Sequence, residues 1–415
     1  MTSTVRESTT VAIVGGGVSG LTTALLLRSH GVDCVVLERR ARSYVEERQR
    51  AGLVEFRAVR MFEEQGLGHV LRGFPENPYL EIRVDGQARL LAESLPGLGT
   101  ASKAVPQQAL VRGLIAALLA DGADLRFDAA DVALCRLDGE RPMVSYVGLD
   151  GRAHEIDCDF VAGCDGDRGI SAASIPAGAG TVHAYDYGIW WLTVLADAPA
   201  PRHALMSVGT CGFAAQFARG RDASRFYLHC AAGDTVADWP HDRIWAELRR
   251  RLHQPDLPGG QITATEVFPL RSSVREPMSH GRLYLLGDAA HIIPPMGAKG
   301  MNLALFDAET FAAAVGDFTA SGDESGLASY SGTCLARTWR YQEYSNWLAD
   351  MMHGASGSPV AASGSPVGAS GSAVAASGSA ASGSFRERIM RARLERLLSS
   401  ETAARYYAEM FTGLG

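Results

Sequence analysis

The sequence predicts an α/β fold: a Rossmann-like nucleotide-binding domain, interrupted by a mainly antiparallel β-sheet domain and closed by C-terminal helices. Three observations carry this expectation. First, VAIVGGGVSGLTTALLLRSHGVDCVVLERR (11–40) runs strand, glycine turn, apolar helix, strand, which is a βαβ unit. Second, helical periodicity in ALVRGLIAALLADG (109–122) and a strand at DCDFVAGCDG (157–166) continue the alternation. Third, between about 182 and 273 the chain turns to aromatic and β-branched segments such as YGIWWLTVLAD (187–197) and RFYLHC (225–230), a texture that suits an antiparallel sheet. The expected division is 1–73, 100–181 and 274–354 for the nucleotide-binding domain, and 74–99 with 182–273 for the second.

At 415 residues the chain is too long for one simple core, which supports that division. Hydrophobic residues make up 47% and charged residues 20%, with no apolar run long enough to cross a bilayer and no basic-then-apolar leader before the first strand. The expectation is a cytoplasmic protein with no membrane partner. Seven cysteines lie scattered, with no CxxC and no Cys/His pair at ligand spacing, so structural thiols are expected and no metal. A net charge of -7, with no basic stripe interleaved with aromatics, argues against nucleic acid.

The segment ASGSPVAASGSPVGASGSAVAASGSAASGS (355–384) is a degenerate repeat of small residues that cannot bury a core. Glycine does not recur every third residue as in collagen, and no large apolar side chain recurs as in a solenoid. A flexible Ala/Ser/Gly linker is expected, with a coil span of roughly 30 Å. After it, 385–415 regains helical periodicity, which predicts a helical segment docked on the body.

Gly15, Gly17 and Gly20 form GxGxxG directly after a strand and at the start of a helix, and Glu38 closes the next strand. In that context the glycines permit a tight turn, close backbone approach to a pyrophosphate and close helix–strand packing, while the acid can accept ribose hydroxyls. A merely structural glycine turn would not place the acid in register. The motif does not separate NAD(P) from FAD; two later segments do. One is AGCDGDRGIS, with Asp165 and Arg168; the other is LLGDAAHIIPPMGAKGMN (285–302), with Asp288 after a strand and Gly297 and Gly300 before a helix. A short acid after a strand suits a ribityl hydroxyl, and a glycine-rich helix start can offer N–H groups to an anionic flavin edge. A simple helix cap would explain Asp288 alone, but not all three segments in this order.

These segments, with RQRAG (48–52) and PLRSSV (269–274), resemble the flavin-dependent aromatic hydroxylases, the class A flavoprotein monooxygenases of the 4-hydroxybenzoate 3-monooxygenase type. The resemblance covers nearly the whole chain outside the repeat. It implies an NADPH-consuming, FAD-dependent insertion of one oxygen atom of O2 into an aromatic ring through a flavin C4a-hydroperoxide, by a homodimer. For FAD it implies Glu38, Arg50 and Gln107, with Asp165 and with Asp288 on the ribityl chain. Gly297, Lys299, Gly300, Met301 and Asn302 would lie against the flavin ring, with the Pro295 carbonyl beside the substrate. NADPH would occupy a groove containing Arg39, Arg40, Tyr44, Arg48, Arg168 and Arg271, where clustered arginines favour a 2′-phosphate over NADH; Ala172 stands where the family has an arginine. Arg219 would pair with a substrate carboxylate, near Arg225 and Tyr227.

The chain departs from the family at the substrate. Phe217 replaces a serine, Met296 a threonine, and the two proton-relaying tyrosines become Ser207, or Met206 if a gap shifts by one, and Phe411. Without those phenols the usual route to a phenolate is lost. The leading expectation is therefore a ring with a further electron donor, an aminobenzoate or amino-hydroxybenzoate such as 3-amino-4-hydroxybenzoate. Alternatives are ordinary 4-hydroxybenzoate with water or Ser207 completing the relay, a flavoprotein oxidase or dehydrogenase, or a non-enzymatic FAD-binding scaffold. His291 is expected to be structural.

Overall fold

A computed structural model describes residues 4–47, 52–77, 79–92, 101–220, 222–354 and 385–412. Along the chain come β1 (Val5–Val14), α1 (Val18–Ser29), β2 (Cys34–Leu37), α2 (Arg42–Glu47), α3 (Phe56–Glu64), β3 (Tyr79–Val84), β4 (Gln87–Ala92), α4 (Gln107–Ala120), β5 (Asp124–Arg126), β6 (Ala130–Cys135), β7 (Met143–Val147) and β8 (Ala153–Gly163). There follow α5 (Ile170–Ala173), β9 (Thr181–Ala196), β10 (Ala204–Val208), β11 (Ala214–Ala218), β12 (Ser224–Cys230), α6 (His241–Arg251) and β13 (Ile262–Glu276). The last elements are β14 (Ser279–His280), β15 (Leu283–Leu285), β16 (His291–Ile292), α7 (Lys299–Ser321), α8 (Ser325–Gly354), α9 (Phe385–Ser399) and α10 (Glu401–Thr412).

The first sheet has the order β14-β15-β8-β1-β2-β5, and its β15, β8, β1, β2 and β5 are mutually parallel. Parallel strands are covered on both faces, which is why VAIV of β1 and CVVL of β2 are buried at every position. Helix α1 packs against α4 and α7. All five parallel strands end at one edge, so the loops after β1, β2, β8 and β15 converge there.

The second sheet runs β16-β13-β9-β12-β11-β10-β3-β4, antiparallel except for β10 beside β3. Strands β3 and β4, from the early segment, thus complete a sheet whose other strands come mostly from 181–276. Alternation along β10 sends Ala204, Met206 and Val208 to a core shared with α8, α9 and α10, and Leu205 to a separate core under α6.

The C-terminal helices join the body as expected: Met390, Leu394, Leu397, Tyr407 and Phe411 enter the helix-side core. Arg89 of β4 donates to the Leu397 and Leu398 carbonyls at 3.1 and 2.7 Å, closing the end of α9. The repeat 355–384 lies outside the described residues, but the helices on either side of it pack together. Arg386 pairs with Asp350 at 2.7 Å, and Gly354 sits against Met390. Replacing 355–384 by a short Gly–Ser linker should therefore leave the thermal midpoint within about 2 °C and FAD content unchanged, because loop-closure entropy depends weakly on length. A large fall in either would show that the repeat itself carries fold-stabilising contacts. Among the described residues no helix is long and apolar enough to cross a membrane.

Candidate active site

The glycine turn after β1 is shaped by the start of the loop after β8 and by itself. Gly15 has φ +111°, and a Cβ there would stand 2.4 Å from the Cys164 carbonyl oxygen; at Gly20 it would stand 1.9 Å from the carbonyl oxygen of Gly15. At Gly17, by contrast, a Cβ would meet nothing within 4 Å. No side chain caps α1 and no acid occupies its first turn, so its N–H groups and dipole are available to an anion. The Glu38 carboxylate is fixed by two backbone donors, Gly16 at 2.7 Å and Arg40 at 2.8 Å. A carboxylate held this way keeps lone pairs free for ribose hydroxyls.

The same edge carries the two acids after β8 and β15. Asp165 accepts the Ser171 N–H at 2.9 Å and seats against Gly169; burial raises its pKa despite the backbone donors. Asp288 stands in the short turn Gly287–Ala289. Asp307 of α7 holds that turn through the Gly287 N–H at 2.9 Å, and the same oxygen lies 2.7 Å from His291 Nε2. Burial works against a charged His291, yet the Asp307 carboxylate outweighs it and raises the pKa. His291 is thus tied to the strut behind the Asp288 turn. Gln107 opens α4 directly after Pro106.

The loop before α7 turns through two left-handed residues, Gly297 at φ +79° and Ala298 at φ +56°. A Cβ on Gly297 would come within 2.3 Å of the Tyr344 ring, so both space and conformation demand glycine. No side chain caps α7, leaving the N–H groups of Lys299, Gly300 and Met301 as a donor cluster. Asn302 is engaged elsewhere: its Oδ1 accepts the Glu55 N–H at 2.9 Å, and its Nδ2 donates to Leu53 and Ala298, each at 3.0 Å. Any contact of Asn302 with a flavin is left to its backbone.

The side chain of Lys299 is committed to a buried ion pair, so any contact of this residue with a flavin is left to its backbone. The side chain is buried, donating to Glu55 at 2.6 Å and to the Phe411 carbonyl, with the ammonium 3.9 Å from the Phe411 ring. Tyr341 donates to the other Glu55 oxygen at 2.9 Å. This buried cluster ties the loop before α3, the starts of α7 and α8's body, and the end of α10 into one point.

Between the second sheet and these loops lies a cleft of about 740 Å³, its open mouth included. Arg219, Phe217, Tyr227, Met206 and Trp191 line it from the sheet, Pro295, Gly297 and Ala298 from the loop, and Tyr407 and Phe411 from α10. Arg219 is half-buried and has no carboxylate partner among the described residues. Burial lowers its pKa, with Arg225 adding to the effect and Tyr227 opposing it. Two expected substrate contacts are corrected. Ser207 points to the opposite face of the sheet, where its hydroxyl donates to the Arg251 carbonyl at 2.6 Å, so the one-residue alternative, Met206, faces the cleft. Met296 is fully buried and is not among the residues that line the cleft. Arg225 is not among the residues that line the cleft, and its guanidinium lies 5.6 Å from the Tyr227 ring.

Tyr407, Trp191 and Asn77 were not anticipated as lining residues. Tyr407 was within reach of sequence reasoning, since it precedes Phe411 by one helical turn and shares its face. Of the expected NADPH groove, Arg39, Arg40 and Arg168 are exposed at the carboxyl edge, and Arg40 lies 5.3 Å from the Tyr44 ring. Arg271 is paired with Asp167. Arg48 and Arg50 lie outside the described residues.

A family model described as an FAD binding domain matches residues 8–345. This chain belongs to the FAD-dependent aromatic hydroxylases. It is 35% identical over 351 residues, 83% of its length, to the p-hydroxybenzoate hydroxylase of Acinetobacter baylyi (strain ATCC 33305 / BD413 / ADP1), 86% of which is covered. It is 25% identical over 333 residues to a probable NADH-specific resorcinol 4-hydroxylase of Rhodococcus jostii (strain RHA1), covering 74% of this chain and 58% of that one. The solved structure of the p-nitrophenol 4-monooxygenase of Pseudomonas putida DLL-E4 has the same fold, with a TM-score of 0.81 at 18% identity over 99% of both chains. As an FAD-dependent aromatic monooxygenase of the p-hydroxybenzoate hydroxylase type, this hydroxylase binds FAD, and the glycine cradle, the uncapped helix starts and Glu38 suit that cofactor.

Proposed function

We propose that this hydroxylase inserts oxygen into the ring of a substituted benzoate whose carboxylate is held by Arg219. The observation that carries this reading is the half-buried Arg219 guanidinium in the cleft wall, desolvated and without a carboxylate partner among the described residues. A guanidinium so placed favours a planar carboxylate, gripped by two hydrogen bonds, with Tyr227 beside it and Arg225 adding positive potential. Bound FAD supplies the activation of O2 at the expense of NAD(P)H, giving the hydroxylated ring and water. The chain's own part is to hold the ring against the Pro295 loop and to exclude water with Phe217, Met206 and Phe411.

The FAD roles we assign are Glu38 for the adenosine ribose, Gln107 as a further contact to the cofactor, Asp165 and Asp288 for its middle, and backbone N–H groups of 299–302 for the flavin edge. Arg39, Arg40, Tyr44 and Arg168 form the nicotinamide-cofactor groove, which favours NADPH. A homodimer and the two-domain division given above complete the proposal.

Met206 and Phe411 are apolar and cannot accept a proton from a ring hydroxyl. A ring already activated by an amino group needs less deprotonation, so 3-amino-4-hydroxybenzoate is the leading substrate. The 35% identity to a p-hydroxybenzoate hydroxylase supports 4-hydroxybenzoate as the second reading. The test is NADPH and NADH oxidation by the FAD-loaded enzyme with 4-hydroxy-, 3-hydroxy-, 4-amino- and 3-amino-4-hydroxybenzoate, with product mass and regiochemistry. Coupled turnover confined to amino-substituted rings is expected. Rapid conversion of 4-hydroxybenzoate to its 3-hydroxy product would overturn the amino preference, and no turnover with any benzoate would overturn the Arg219 reading.

A further inference from the structure

One polar contact in the cleft wall lies outside the roles assigned so far. Trp191, which lines the cleft from the middle of β9, donates its indole N–H to Nε2 of His353 at 2.8 Å. His353 sits in the last turn of α8 and is fully buried. Its Nδ1 lies 3.0 Å from the Ala349 carbonyl, so Nδ1 carries the proton and Nε2 is the acceptor. Burial, reinforced by the neighbouring His229, pushes the His353 pKa down to about 3, so the ring stays a neutral acceptor across the working range of pH.

The indole has a single polar hydrogen and stands among rings that cannot accept it well. Phe213 stacks on it at 5.2 Å, Phe268 meets it edge-on at 6.5 Å, and Tyr227 tilts against it at 5.0 Å. His353 itself packs on Phe213 at 4.8 Å and on His229 at 5.3 Å. The orientation of Trp191 in the cleft is thus set by one hydrogen bond from a helix 162 residues away in sequence. Tyr227, the phenol beside Arg219, rests on that indole.

We propose that His353 is a positioning residue for the substrate: by accepting the Trp191 N–H it fixes the indole face, and through it Tyr227, that aligns the aromatic acid with Arg219. The proposal rests on the reading of the cleft as an aromatic-acid site. It assigns the end of α8 a role in substrate alignment.

The test is equilibrium titration of the FAD-loaded protein with 4-hydroxybenzoate and with 3-amino-4-hydroxybenzoate, followed by the flavin absorbance change. It uses the wild type, His353→Leu, His353→Gln, Trp191→Phe and the double variant His353→Leu/Trp191→Phe, with FAD content and thermal midpoint measured on each. Leaving a buried N–H without its acceptor should weaken binding about tenfold in His353→Leu. Glutamine, which keeps an acceptor oxygen, should bind within about threefold of wild type. Trp191→Phe should lose about as much as His353→Leu, and the double variant no more than either single one, because the two residues act through one bond.

Wild-type affinity in His353→Leu, or losses that add in the double variant, would overturn the proposal. If His353→Leu does not fold, Trp191→Phe decides it, since unchanged binding there leaves the indole N–H no role. Failure of the wild type to bind either acid would instead sink the aromatic-acid reading, and the proposal with it.

Discussion

Replacing Arg219 by alanine should raise KM for the aromatic acid about 100-fold, with smaller loss in kcat and with FAD content unchanged. The size follows from the setting: a charge-assisted, two-point contact in a partly desolvated cleft is worth about 2–3 kcal/mol, and 1.4 kcal/mol is tenfold. The change should fall on KM because the carboxylate is held equally in the ground and transition states, remote from the reacting carbon. Arg219→Lys should recover only part of the loss, since an ammonium cannot reproduce the planar fork. The measurement is steady-state kinetics on the best substrate of the benzoate panel. A KM within about threefold of wild type would remove Arg219 from the binding site.

The second large effect belongs to the buried ion pair. Lys299→Met should destabilise the protein by about 3–5 kcal/mol, because among the described residues Glu55 would be left as a buried carboxylate with Tyr341 as its remaining side-chain donor and no cation. Adding Glu55→Gln should restore a good part of that loss, as a neutral amide does not require the missing charge. Denaturant unfolding of wild type, single and double variants reads this directly. A single-variant loss under about 1 kcal/mol would mean that the pair is not dry in solution. Since Lys299 also donates to the Phe411 carbonyl, the single variant should loosen the end of α10 and widen the cleft. That effect would appear as weaker aromatic-acid binding beyond the fall in stability.

The two effects separate what local pattern can reveal from what it cannot. The glycines at 15, 17 and 20 were legible because their constraint is local: a tight turn, then a helix, then an acid closing the next strand. The structure adds the reason for the third glycine, a carbonyl oxygen 1.9 Å from where its Cβ would be. The loop from Asp288 to Asn302 was legible as a unit, but not the allocation of its side chains. The side chains of Lys299 and Asn302 are bonded to the segment Leu53–Glu55, some 245 residues earlier, which leaves only their backbone for a flavin. Ser207 and Met206 differ by one step in β10, and a pleated strand sends adjacent residues to opposite faces.

By itself, the sequence determined the parallel sheet with its nucleotide-binding edge, the insertion of a second sheet, the family, and Arg219 as the candidate anchor for an acid. The two sheets rest on periodicity and spacing within single elements, where geometry follows from a few successive residues, whereas the family and the role of Arg219 rest on the resemblance of several motifs to the aromatic hydroxylases. Only the tertiary structure decided which face of β10 meets the cleft, that Lys299 pairs with Glu55, that Tyr407 joins Phe411 in the wall, and that Trp191 is held by His353. Each of these depends on the packing of elements 100 residues or more apart along the chain, where pleat, helix phase and crossing angle jointly choose the partner.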